Sequence, residues 1–161
     1  MAQLYRDQFI HYVNTATKTG ETTTPTWTIE GTGVESLSVA FNPQKDTYKD
    51  ITKRTAKNTF KNYQLSSSIS GKRLYDDDDM YKYLNELRLK AIAAETQLLE
   101  VNTAKKDTSG AYEAVKYNIL ITINEWLGED ATISYDIDYS NPVVGSVTIA
   151  SGTPTFTESA D

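Results

Sequence analysis

The sequence predicts a mainly β protein: an antiparallel β-sandwich or partly closed barrel with one short α-helix. Three observations carry this. Apolar residues recur at every second position through most of the chain. Only one segment, about 77–91, switches to helical spacing. Strands follow one another through short polar turns, so the βαβ alternation of a parallel sheet is missing. Threonine is abundant, and 11 Tyr outnumber 4 Phe and 2 Trp. These residue types favour strands. The 161 residues correspond to a single domain, 1–161, that can bury a core without metal or disulfide staples.

Phe9, His11 and Val13 alternate with Ile10, Tyr12 and Asn14, a first strand that is apolar on both sides and so covered on both. Asn14 to Pro25 is a polar, Thr-rich loop with Gly20 inside it. Trp27 and Ile29 share one parity before Gly31 and Gly33 interrupt. Leu37, Val39 and Phe41 alternate with Ser36, Ser38 and Ala40, the pattern of a half-buried strand that Asn42-Pro43 ends.

The stretch about 42–58 is strongly charged, with Lys45, Lys49, Lys53, Arg54 and Lys57. The four-residue lysine spacing would line one helix face. Thr47, Thr52 and Thr55 lower helix propensity and no cap is evident, so a protruding loop or the tip of a long hairpin is expected. Tyr63, Leu65 and Ile69 then share a strand face, and Gly71 is expected to end that strand. Lys72 to Tyr75 leads into four consecutive carboxylates, Asp76, Asp77, Asp78 and Asp79. Asp77 or Asp78 makes a sound N-cap, and the others complement the positive end of the helix dipole. Met80, Leu84, Leu87 and Ala91 form the apolar stripe of the helix, widened by Tyr83.

Strands resume at Leu99 and Val101, with a turn from Lys105 to Gly110. Val115, Tyr117, Ile119, Ile121 and Ile123 give the longest strict alternation in the sequence. Leu127 to Asp130 predicts a hairpin turn with Gly128 free to take φ > 0. The return strand sets Ile133, Tyr135, Ile137 and Tyr139 against Thr132, Ser134, Asp136 and Asp138. Asn141-Pro142 is expected to turn the chain again. Val143, Val147 and Ile149 mark one more strand, and about 151–161 is a short tail.

The chemistry is sparse. With no cysteine and one histidine, thiol chemistry, zinc and iron sites have little to build on. His11 lacks an evident nucleophile and orienting acid, so a structural role is expected and no catalytic residue is assigned. The Asp76–Asp79 run lacks the spaced ligands of a calcium loop. No metal or cofactor is expected. Trp27 and Trp126 with the tyrosines allow an alternative reading, a small carbohydrate-binding or adhesion module. The net charge of −6 disfavours tight nucleic-acid binding, although an anionic surface suits DNA that must slide past without sticking. Asp136 and Asp138 stand on a strand face that is either an ordinary wet face or the wall of a solvent channel. Met1 to Asp7 lacks the order of a signal peptide, and no apolar run approaches the ~20 residues of a membrane span. Synthesis and folding in the cytoplasm, with no membrane partner, are expected.

The segment from Phe60 to Ala91, a strand ending in Ser70-Gly71 followed by Asp76–Asp79 and the helix Met80-Tyr-Lys-Tyr-Leu-Asn-Glu-Leu87, resembles the major tail tube proteins of long-tailed, siphovirus-type bacteriophages. Chain length, the charged loop before this strand and the β-rich second half are also similar to that family. The resemblance implies a structural virion protein, not an enzyme, made in the host bacterial cytoplasm. It implies homo-hexameric rings stacked into a hollow tail tube that conducts DNA into the host. Partners would be further copies of the chain, other tail proteins such as the tape measure, tail terminator and distal tail protein, and DNA in transient passage. On that template Ser134, Asp136 and Asp138 would face the lumen. The loop bearing Lys45, Lys49, Lys53, Arg54 and Lys57 would contact a neighbouring ring, at the Asp76–Asp79 cluster for example.

Overall fold

The computed structural model describes residues 1–16, 24–127 and 130–160. The Gly20 part of the expected Thr-rich loop and Gly128 of the expected hairpin turn lie outside the described residues. Along the chain come a 3-10 turn (Arg6–Gln8), β1 (Phe9–Asn14), β2 (Trp27–Glu30), β3 (Pro43–Tyr48), β4 (Lys57–Tyr63), β5 (Ser66–Arg73) and α1 (Asp79–Lys90). They are followed by β6 (Ala94–Lys106), β7 (Tyr112–Trp126), β8 (Thr132–Ala150) and β9 (Thr153–Glu158). One antiparallel sheet runs β2-β1-β6-β7-β8-β5, with β9 added on β8. The β3–β4 hairpin is a separate two-stranded sheet. The main sheet curls into a nearly closed barrel, and one helix packs on it, as the alternation and the single helical segment predict.

The two faces of the sheet bury different cores. Val13, Leu98, Ile119, Ile121, Ile133, Tyr135 and Ile137 point inward against Met80, Leu84 and Leu87 of α1. Tyr12, Leu99, Val101, Ala114 and Val147 form a smaller cluster on the opposite face, covered by Trp27, Ile149 and Phe156. Adjacent residues of β1 and β6 are therefore both buried, the two-sided covering expected of β1. Ala91 is a correction to the helix stripe. It is exposed because it is the left-handed C-cap of α1, past the last residue that faces the sheet.

Four strand assignments differ from expectation, and one is the expected short tail, in which Thr153–Glu158 forms β9 paired with β8. Residues 37–41 form no strand; only Ala40 makes a bridge, to Ser66. The segment still runs beside β5, with Arg73 N–H donating to the Gly33 carbonyl and Ser67 Oγ to the Ser38 carbonyl. Leu37 and Val39 pack on the inner core, which produces the alternation, while Phe41 is exposed. β5 does not stop at Gly71: a register shift between Ile69 and Lys72 carries the strand past it, and Gly71 takes φ 69. Asn141-Pro142 does not reverse the chain. β8 continues through it, with Asn141 at φ 49 and a register shift opposite Lys116–Asn118 absorbing the missing proline N–H.

Gly145 shows how close β9 lies to this bent strand. A Cβ there would meet the Thr157 carbonyl and sit 2.6 Å from the Phe156 ring. Backbone cannot retreat as a side chain can, so Gly145→Ala is expected to lower stability by about 1–3 kcal/mol. The check is a thermal melt, and an unchanged Tm would mean that β9 is not held as described.

Candidate functional site

The face of β5-β8-β7-β6 that turns away from α1 collects hydroxyls and carboxylates. Glu95, Leu120, Asp138 and Ser66 are cross-strand neighbours in one row over four strands. Asp136 stands between Ser68 and Thr122 in the next row. Asp138 and Glu95 are exposed and Asp136 is half-buried. Alternation fixes this placement: Tyr135, Ile137 and Tyr139 occupy the inner core, so their neighbours must face out. No ion pair reaches these three carboxylates among the described residues. Lys116, further along the same face of β7, is held over the Phe156 ring at 4.9 Å. Ser134 shares the face but is engaged, its Oγ accepting the Gly71 N–H at 3.0 Å. It braces the β5 bulge.

The basic segment forms an arm. Pairing of β3 with β4 brings Lys45 opposite Phe60 and Tyr48 opposite Lys57, and Lys49, Lys53 and Arg54 lie in the connection between them. Every one of these residues is exposed. The strands extend about 20 Å from the body at ~3.3 Å per residue. Residues 42–64 carry six basic and two acidic side chains, a net +4, which leaves −10 for the rest of the chain. Lys61 pairs with Asp46 at 3.1 Å. Asp50 accepts from the Thr52 backbone N–H at 3.0 Å and the Thr52 hydroxyl at 2.9 Å, which holds its carboxyl below the usual range. The neck is fixed where the Gln64 N–H donates to the Phe41 carbonyl at 3.1 Å and Asn42 Nδ2 to the Gln64 carbonyl at 2.9 Å.

The four aspartates separate. Asp76, Asp77 and Asp79 are exposed, and Asp79 pairs with Lys82 at 2.9 Å. Asp78 is buried and is the N-cap of α1, with Oδ1 accepting the Met80 N–H at 3.0 Å. Its Oδ2 lies 2.8 Å from the ammonium of Lys72, a lysine with no exposed surface. Lys72 also donates to the Thr32 carbonyl. Close by, buried Glu30 accepts from the Tyr135 hydroxyl, and its carboxyl is pushed up to about 7, chiefly by burial, with Lys72 opposing and Asp78 reinforcing the rise. This clasp joins β2, the following loop, β5, β8 and α1. Sequence reasoning placed Lys72 in a linker. The available signal was Gly71: a bulge there puts Ile69 and Lys72, three apart, on the same inward face.

His11 is buried, with Nε2 2.9 Å from Glu100 Oε2. The histidine contact keeps the Glu100 carboxyl below the usual range. An open hollow beside α1 is lined by Thr15, Thr26, Thr28, Lys82, Tyr83 and Glu86. Among the described residues no group of three or more His, Asp or Glu is placed to hold a metal ion.

No family model matches the chain, and no curated protein matches it. Among solved structures, a chain of the "Cryo-EM structure of the anti-feeding prophage (AFP) baseplate, 6-fold symmetrised" is similar in course, with TM-score 0.48 and 6% sequence identity over 89% of this chain and 96% of that one. At that score and identity the likeness decides neither fold nor function.

Proposed function

We propose that this chain is a self-assembling structural subunit of a hollow tube, of the phage tail tube kind, whose inner skin is the anionic face of β5-β8-β7-β6. The observation that carries the reading is the patch of carboxylates Glu95, Asp136 and Asp138, without ion pairs among the described residues and set among hydroxyls on strands whose other face is buried. A rigid sheet whose carboxylates carry no paired cation among the described residues repels a passing phosphate backbone. The main sheet ends at β2 on one side and at β5 and β9, both beside β8, on the other. Pairing such edges between copies removes an aggregation hazard, and a head-to-tail contact closes into a ring when its rotation divides a full turn.

In this proposal the single domain packs six to a ring, rings stack along the tube, and the ends meet other tail proteins: a tape measure, a tail terminator and a distal tail protein. The basic arm supplies the axial contact. The assembled form belongs to the virion and acts on DNA only as a conduit.

Negative-stain microscopy of the purified chain tests assembly directly, with rings or hollow tubes as the expected result and featureless monomers as the contrary one. Asp136→Lys combined with Asp138→Lys tests the lumen. Both side chains lie on the outward face, so tubes should form, while DNA exit from particles carrying the variant should be slowed or blocked. Normal ejection would remove this strand from the channel wall.

A further inference from the structure

The arm has a property that its charge does not explain. Phe41, Tyr63 and Phe60 form a continuous aromatic cluster on one face of the β3–β4 hairpin, with ring centroids 5.3 Å and 4.7 Å apart. All three are more than half exposed, and Ile51 in the connection is fully so. Every residue of β4 is exposed, and no other element covers this face among the described residues. A lone two-stranded hairpin is marginal in water, and a bare aromatic cluster of this kind marks an interface.

We propose that this aromatic face docks on a second copy of the chain, at the exposed turn Tyr75-Asp76-Asp77, in a heterologous contact of arm onto body. This deepens the axial contact of the proposed tube and rests on that reading for its place in the assembly. Charge selects the occupant. An arm-to-arm pairing would bring +4 against +4, whereas the body of a second copy carries −10. Position on that body follows from matching chemistry. Tyr75 is 44% exposed and offers an aromatic surface to the cluster. Asp76 and Asp77, exposed and without ion-pair partners among the described residues, meet Lys45 and the basic connection. The Glu95–Asp136–Asp138 face is assigned to the lumen in that reading, which leaves the turn as the acidic surface open to the arm. Buried aromatic anchors supply the affinity of such contacts, and the charges steer and orient them.

A heterologous contact makes a complementation test possible. Phe60→Ser with Tyr63→Ser disables the arm and leaves the turn intact. Asp76→Lys with Asp77→Lys disables the turn and leaves the arm intact. All four positions are exposed, so both variants should fold, the turn variant melting slightly lower because it loses favourable charge at the start of α1. Lys53→Glu with Arg54→Glu, at the connection, serves as a second arm variant should the aromatic one misfold. Each variant, assembled alone and followed by sedimentation, should stop at its smallest particle, with axial association weakened by about 30-fold or more. Mixed, the tagged arm variant should retain the turn variant and give particles of twice that size which do not grow further. Raising salt from about 0.05 M to about 0.5 M should weaken the wild-type contact.

The inference is overturned if the mixture stays at the size of its components, if either variant alone elongates like the wild type, or if the wild type never elongates. The two readings separate cleanly. Complementary pairs without hollow particles would sink the tube and keep the docking; hollow tubes from the arm variants would do the reverse.

Discussion

Lys72→Met is expected to destabilise the folded chain by about 3–5 kcal/mol, because it strips the cation that serves a buried pair of carboxylates. Lys72 has no exposed surface, and its ammonium serves Asp78 at 2.8 Å and the Thr32 carbonyl. Removing it leaves the buried Asp78 carboxyl without its counter-ion, beside the buried Glu30 carboxyl. A domain of this size is stable by roughly 5–15 kcal/mol, so the loss would bring the variant close to unfolding at ambient temperature. Urea denaturation followed by circular dichroism measures it. Asp78→Asn added to Lys72→Met should recover most of the loss when measured below about pH 7, since asparagine still caps α1 and the one carboxyl left, Glu30, can stay protonated there. A single variant within about 1 kcal/mol of wild type would mean that the pair is hydrated and the clasp is not a structural element.

The clasp also marks the limit of what the sequence could disclose. The strict alternation in 115–123 and 133–139 needed only period two, and those side chains fill the inner core. The helix needed only its 3.6-residue stripe and an aspartate cap, and α1 begins where the cap predicts. Asp136 and Asp138 face outward for the same reason of parity, so the anionic row was half legible; Glu95 joins it only through the β6–β7 register, which no local pattern encodes. Residues 37–41 alternate because one side packs on the core, yet sheet membership depends on backbone pairing, and β5 meets them at a few points only. Gly71 and Asn141-Pro142 carry the usual signals of a strand end or turn, and here both are spent on bulges within continuous strands. Lys72 was invisible because the clasp around it is assembled from residues 30, 32, 78 and 135, which only the closed sheet brings together.

Glu30 makes the same interior sensitive to pH, in the direction opposite to most carboxylates. Its carboxyl rises from an ordinary 4.5 to about 7 in the folded chain. Between those values the folded state holds a proton that the unfolded state releases, so stability falls as pH rises through this window and recovers as pH drops. A shift of that size corresponds to at most about 3 kcal/mol, or about 6–12 °C in Tm for a chain of this length. Glu100 works the other way, its depressed carboxyl contributing stability that is lost only at more acidic pH, so the raw profile is a sum. The difference between wild type and Glu30→Gln isolates the Glu30 contribution. Glutamine can still accept from the Tyr135 hydroxyl but does not titrate. Wild type should therefore lose Tm relative to Glu30→Gln between about pH 5 and about pH 8. The slope should steepen in Lys72→Met, where the cation that favours the charged form is gone. Parallel Tm profiles for wild type and Glu30→Gln would show that Glu30 is ionised throughout, and with it that the barrel interior admits water at the clasp.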